Sequence, residues 1–368
     1  MMFRLFLAVL ILVPCLLLLA PVFAVAGLLI AFAALVRFIA VKLEPPFVSW
    51  RELIDFDREL GWKPKPNLDT YYLPHQDDVF RVMTDAEGWP GHRTLDESAI
   101  VVMGDSFAFG YGIDPERSFA NLNKGTAIKN IGAPGYSMVQ PVMLMESFAD
   151  RLAGKLVVWF VCLENDLEDN LSAAMWRYRS PFVRPTRNGS GWEIAKDHVA
   201  PDQWQCSEYG RKRLLPFLCL DGPLADRAYA AAGYLIDRAA ACCRSVDAQL
   251  VLVTIPDPIL LTTAGEERLA AINGKSDCDP SLPDRRLAEC CRQSGVAFVA
   301  GRDHLSASDY KSREGIHWNE QGHRHMANVL ARLYESFRST PLAGAGVASR
   351  RVADDPLRAV EEVLTGSR

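Results

Sequence analysis

Four short segments of this chain carry the residue types of acyl-transfer chemistry. The first is Gly104-Asp105-Ser106-Phe107, directly after an apolar run. Serine is a weak nucleophile until a neighbouring base takes its proton. A glycine ahead of it lets the chain turn sharply and leave the hydroxyl facing outward. The plainer reading of the same residues is a strand-end turn in which Ser or Asp caps a helix. The second segment is Glu314-Gly315-Ile316-His317-Trp318-Asn319. Of the seven histidines, His317 has an acid three positions upstream, and Asn319 behind it suits the N-cap of a following helix. His323 and His325 fall inside that helix and are expected at its surface, while His75, His92, His198 and His304 lack a matching partner.

The third and fourth segments offer donors for a developing oxyanion. In Asn130-Ile131-Gly132-Ala133-Pro134-Gly135-Tyr136-Ser137, Gly135 can present its N–H with no side chain in the way. In Glu164-Asn165-Asp166, the Asn165 amide is a second candidate donor. Taken singly, each is ordinary turn composition.

These segments gain meaning from the elements that must position them. Ala99–Met103, Leu156–Leu163, Leu250–Ile255 and Val296–Ala300 are short apolar runs that suit buried parallel strands, and Ala127–Ile131 reads as a further strand. Helical spacing predicts helices over Arg117–Lys124, Val139–Leu152, Ala225–Arg244, Pro283–Ser294 and Glu320–Phe337. Strands alternating with helices predict a parallel sheet covered on both faces. Reactive groups in such a sheet collect at the carboxyl ends of the strands. All four segments fall there.

In order and context the four segments resemble the SGNH (GDSL-like) hydrolase family. They read GDSFAFGYGI, NIGAPGYS, ENDLEDN and EGIHWNEQGH, and the resemblance spans residues 95–335. The stretch ahead, with its ELGW and TDAEGW pieces, is similar to bacterial members of that family. The resemblance implies a flavodoxin-like three-layer α/β/α fold with a five-stranded parallel sheet. It implies Ser106 as nucleophile and His317 as base, with the N–H of Ser106, the N–H of Gly135 and the amide of Asn165 as oxyanion hole. It implies no metal and no organic cofactor. One position departs from the pattern: the family carries Asp three residues before the histidine, and this chain carries Glu314. Glutamate can hold an imidazole in its tautomer, as aspartate does. Asp303 and Asp309 are substitutes, and a Ser–His dyad is a further option.

The amino terminus points to a membrane. From Leu5 to Val36 no residue is charged, and a bilayer core needs about 20 apolar residues in a helix. One long tilted anchor, a hairpin breaking near Pro21 or Gly27, and a cleaved signal peptide compete, the last being the weakest fit. Arg37, Lys42 and Arg51 after the run favour a cytoplasmic body. Of nine cysteines, Cys206 and Cys219 bracket a loop and Cys278 lies near Cys290 and Cys291, a pattern open to disulfides or to buried thiols. Glycan esters and paired cysteines favour the periplasmic side of an inner membrane. A net charge of −5 without a basic block excludes nucleic acid as an expected partner.

The expected organisation is an anchor over 1–44, a small preamble over 45–97, and a hydrolase domain over 98–338. An aromatic-rich insertion lies at 170–221, and 339–368 form a loose tail. The expected function is a membrane-anchored serine esterase that removes O-acyl groups from a glycan. The alternatives are O-acyl transfer to a polysaccharide, and a decayed glycan- or partner-binding module.

Overall fold

The computed structural model describes residues 21–22, 24–36, 47–74, 79–122, 125–173, 178–197, 199, 215–273, 278–311 and 316–339. The chain divides into two compact units, Met1–Phe47 and Val48–Arg368. In the first unit, 21–22 and 24–36 are helical and exposed. Among the described residues no helix is long and apolar enough to cross a membrane. Most of the uncharged run 5–36 and the whole of the tail from 340 lie outside the described residues.

The second unit is built on five parallel strands: β1 (Ile100–Gly104), β2 (Ile128–Gly132), β3 (Leu156–Cys162), β4 (Gln249–Ile255) and β5 (Ala297–Val299). They lie in the order β2-β1-β3-β4-β5, and every pairing among them is parallel. Each strand sits within about a residue of the segment that predicts it, because strands buried on both faces are mostly apolar; β2, with Lys129 and Asn130, is the exception. Five helices frame the sheet: α1 (Ser106–Phe109), α2 (Val139–Ser147), α3 (Pro223–Ser245), α4 (Leu282–Ser294) and α5 (Glu320–Ser339).

Alternation along the strands sorts the side chains into two cores. Val101, Met103, Val157, Trp159 and Leu252 pack with α2, α3 and α4 on one face. Ile100, Val102, Val158, Phe160 and Val253 pack with α1 and with Met326, Leu330 and Leu333 of α5 on the other. The result is a three-layer α/β/α sandwich.

The order of strands creates the crevice. From β1 the chain steps outward to β2, then returns across β1 to β3. Loops leaving β1 and β3 therefore diverge to opposite sides at the carboxyl ends of the strands, the switch point where such sheets generally place a crevice.

Several elements differ from the sequence expectation. The helix expected over Val139–Leu152 ends at Ser147, and a separate turn runs over Ala149–Leu152. A helix at Thr263–Asn273 carries little apolar periodicity and escapes the pattern. The insertion contains an antiparallel hairpin of Phe182–Pro185 with Trp192–Ala195. Ahead of the sheet, Ile54–Asp57 pairs with Gly61–Pro64, which the sequence does not signal, whereas the strand-like pieces Thr70–Leu73 and Val79–Met83 are met by the paired strands Asp69–Tyr72 and Phe80–Met83. Leu53, Leu60, Trp62, Phe80 and Trp89 from this stretch join the same buried cluster as β1 and α2. A buried ion pair adds a polar tie: Lys129 Nζ of β2 lies 2.7 Å from Asp85 and also donates to the Pro90 carbonyl at 3.1 Å.

Candidate active site

Residue 106 owes its position to the turn that leaves β1. Asp105 is the N-cap of α1, and its Oδ1 accepts the Phe107 N–H at 2.9 Å. Capping thus falls to the aspartate, which leaves the Ser106 hydroxyl free for other work. The turn is pressed against β2. A Cβ on Gly132 would fall 2.7 Å from the Gly104 carbonyl oxygen and 2.8 Å from the Ala108 Cβ, so only glycine lets the two backbones approach this closely.

His317 reaches the same point from the other end of the domain. Trp318, fully buried, inserts between Phe107 and Phe160, with ring centroids 4.7 Å and 5.7 Å away. Tyr310 and Trp318 form a bridge, and Lys311 N–H donates to the His317 carbonyl at 2.8 Å. Asn319 caps α5, its Oδ1 accepting from the N–H groups of Gln321 and Gly322. The imidazole itself packs on Tyr111, with ring centroids 4.5 Å apart. These contacts bring His317 Nε2 to 2.9 Å from Ser106 Oγ. Asp105 Oδ2 lies farther from that hydroxyl, at 3.4 Å.

Glu314 lies outside the described residues. Of the two substitutes, Asp303 is exposed. Asp309 is fully buried, but its Oδ2 accepts from Ser306 and meets His325 Nδ1 at 3.1 Å. The expectation that His323 is a surface residue is corrected. It is 1% exposed, stacks on Phe119 at 5.8 Å, and its pKa is pushed down to about 3, mainly by burial. His325 is not a free surface group either, since it partners Asp309.

Gly135 stands at the third position of a Pro134-Gly135 turn, with φ of 81° and Tyr136 N–H donating to the Ala133 carbonyl at 3.1 Å. That left-handed position of a type II turn calls for glycine. The loop is held from two sides. Met138 N–H donates to Asn170 Oδ1 at 3.1 Å, and Trp62 Nε1–H donates to the Pro134 carbonyl at 3.1 Å.

Asn165 follows β3 as the N-cap of a one-turn helix, Asp166–Asp169. Its Nδ2 donates to Asp169 Oδ2 at 3.0 Å and lies 3.3 Å from Asp166 Oδ1. Asp166 Oδ2 in turn accepts the Cys162 N–H at 2.9 Å. Asp105, Asp166 and Asp169 are all buried, and their charges repel one another. Burial raises all three pKa values: Asp105 to about 6, Asp169 to about 7, and Asp166 well above the ordinary range. Burial also pushes the Cys162 thiol well up. Asp105 takes the capping role that the plainer reading of its segment gives it, whereas nothing in the sequence singles out Asp169 or Asn170.

Among the described residues no group of three or more His, Cys, Asp or Glu is arranged to hold a metal ion. The seven described cysteines are free thiols, so of the two readings open for Cys278, Cys290 and Cys291 it is the thiols that the structure has. Cys278 instead hydrogen-bonds with Cys219. Cys15 and Cys206, and Trp176 and Trp204 of the insertion, lie outside the described residues.

No family model matches the chain, and no curated protein does. Solved structures show a distant likeness. A structure of TesA aligns with a TM-score of 0.36 at 13% identity, over 63% of this chain and 96% of its own. A putative SGNH hydrolase from Slackia heliotrinireducens gives 0.35 at 14%, over 63% and 96%. A catalytic mutant of Axe2, an acetylxylan esterase from Geobacillus stearothermophilus, gives 0.33 at 12%, over 69% and 98%. Likeness of this extent carries no weight for the chemistry of this chain, which stands on its own geometry.

Proposed function

We propose that the chain is a serine esterase of the SGNH type, with Ser106 as nucleophile and His317 as general base. The observation that carries this reading is the 2.9 Å contact between Ser106 Oγ and His317 Nε2 at the crevice of the sheet. In the proposed reaction His317 takes the hydroxyl proton as Oγ attacks the ester carbonyl. The tetrahedral oxyanion is met by the N–H groups of Ser106 and Gly135 and by the Asn165 amide. Collapse expels the alcohol, which receives the proton from His317. Water, activated by the same imidazole, then hydrolyses the acyl-enzyme. Glu314 is proposed as the carboxylate that orients His317. Its replacement by alanine should lower kcat, and unchanged activity at every pH would remove it from the reaction.

The proposed substrate is an O-acylated glycan, acetyl esters first. The aromatic residues of 170–221 favour it, since flat rings stack on sugar faces; Tyr178 in that segment already packs edge-on against Phe56 at 5.3 Å. Transfer of the acyl group to a polysaccharide would use the same intermediate with a sugar hydroxyl in place of water. The intact Ser–His contact speaks against a decayed binding module.

The body is proposed to be held at the inner membrane through residues 5–36. Leu28, Leu29, Ile30 and Phe32 are all exposed on the helical residues 24–36, a surface that water does not favour. The periplasmic side is proposed from the substrate alone, because the free thiols lend it no support. Protease treatment of spheroplasts tests the side. Labelling by a fluorophosphonate tests the mechanism: wild type should label, and Ser106→Ala should not. Absence of both labelling and p-nitrophenyl acetate turnover in the wild type would reject the esterase.

A further inference from the structure

We propose that Asp169 is a positioning residue that acts through Asn165, holding its amide in the orientation an oxyanion donor needs. The inference deepens the esterase reading and rests on it. An amide nitrogen carries two hydrogens. If nothing holds one of them, the side chain swivels about its last torsion, which is broad for asparagine. Here Asp169 Oδ2 accepts from Asn165 Nδ2 at 3.0 Å, while Asp169 N–H donates to the Asn165 carbonyl at 2.8 Å. The two residues are thus clasped through main chain and side chain at once. The other amide hydrogen meets Asp166 Oδ1 at 3.3 Å, the longer of the two bonds and the one that an oxyanion would replace.

The surroundings fit a holding role. Asp169 is 6% exposed, so the bond to Asn165 does not compete with bulk water. Asp166 is fixed by its own bond to the Cys162 N–H, which ties the one-turn helix to the end of β3. The neighbouring Asn170 accepts from Met138 N–H, three residues beyond Gly135. Adjacent residues therefore secure both loops that would supply the oxyanion hole, one at its side-chain donor and the other near its backbone donor. The charges facing Asp169 are those of Glu168 and Asp105.

A double-mutant cycle tests this on the full-length chain in mild detergent, with p-nitrophenyl acetate as substrate. Asp169→Ala should lower kcat about 10- to 100-fold, the range typical when a group that orients an active residue is lost, with KM little changed. Asp169→Asn keeps an acceptor oxygen in place and should stay within a few-fold of wild type. Asp169→Gln moves the acceptor by a methylene and should behave like alanine, which covers the case of an alanine variant that does not fold. In an Asn165→Ala background, Asp169→Ala should cost nothing further, because the group it holds is gone. Full additivity of the two losses, or an Asp169→Ala enzyme with wild-type kcat, would overturn the positioning role while Ser106 still labels with fluorophosphonate. A wild type that neither labels nor turns over would reject the esterase, and this role with it.

Discussion

Trp62 and Tyr136 hold each other across 74 residues: the tyrosine hydroxyl donates to the Trp62 carbonyl at 2.7 Å, and the rings meet at 5.7 Å. The indole N–H of the same tryptophan donates to the carbonyl of Pro134, so the stretch before the sheet grips the Gly135 turn from both ends. Both side chains are fully buried. Removal of the hydroxyl by Tyr136→Phe leaves a buried carbonyl unpaired and should cost about 1–3 kcal/mol of stability. Thermal melting reads this. A kcat loss larger than the fraction unfolded explains would show that the turn itself has loosened.

Asn165→Ala should lower kcat by about 100- to 1,000-fold, the usual effect of losing one oxyanion donor. KM should change little, while Tm falls modestly because the buried Asp169 loses its donor. Steady-state kinetics beside a melting curve decide the point; equal turnover removes Asn165 from the reaction.

Gly132→Ala should displace the nucleophile turn, because a Cβ there meets the Gly104 and Asp105 carbonyl oxygens at 2.7 Å and 2.8 Å. A shift of about 1 Å in reacting groups can cost about 100-fold in rate. Fluorophosphonate labelling should slow in parallel with turnover. Normal labelling at an unchanged Tm would mean that the turn tolerates the methyl group.

Asp85→Ala strands the ammonium of Lys129, whose side chain is 1% exposed. Breaking one partner of a buried pair costs about 3–5 kcal/mol. Urea unfolding should show this loss. Lys129→Met in the same background should recover much of it, because no unpaired charge then remains.

The pH dependence of stability carries a signature of Asp169. Its pKa is about 7 in the fold against 3.8 ordinarily, so folding favours the protonated form. The associated stability is complete below about pH 4 and is lost as pH rises to about 7. At pH 8, Asp169→Asn should therefore melt higher than wild type, by roughly 2–4 °C for each kcal/mol recovered, and the gap should close at pH 4. His323, whose pKa is depressed, destabilises as pH falls from about 6.5 towards 3, but it does so equally in both proteins. Identical melting of the two proteins at pH 8 would deny the buried carboxylate its shift.

Much of this fold is legible in the residues, for a physical reason. Strands such as Leu156–Cys162 are buried on both faces, so nothing polar interrupts them. The Ser106 and His317 segments could be paired because their turn chemistry lies at strand ends. His323 misleads because a histidine reads as polar, yet it shares a helical face with Met326, Ala327 and Leu330, which are all buried. That spacing is the better guide. Asp169 and Asn170 are opaque for a different reason. Their importance depends on which partners lie within hydrogen-bonding distance, and that is a property of converging loops rather than of any one segment. The hairpins at Ile54–Pro64 escape because Asp, Lys and Pro dilute their alternation.

Cys162 ends β3 three residues before Asn165, 4% exposed, with its ionisation suppressed by burial. Alkylating reagents consume thiolate, so the folded chain shields this sulfur both sterically and electrically. Pulsed iodoacetamide at that position consequently clocks the opening of the central sheet. Where reclosing outruns alkylation, the labelling rate follows the population of open molecules and gives a local free energy at the floor of the crevice, with no substrate present.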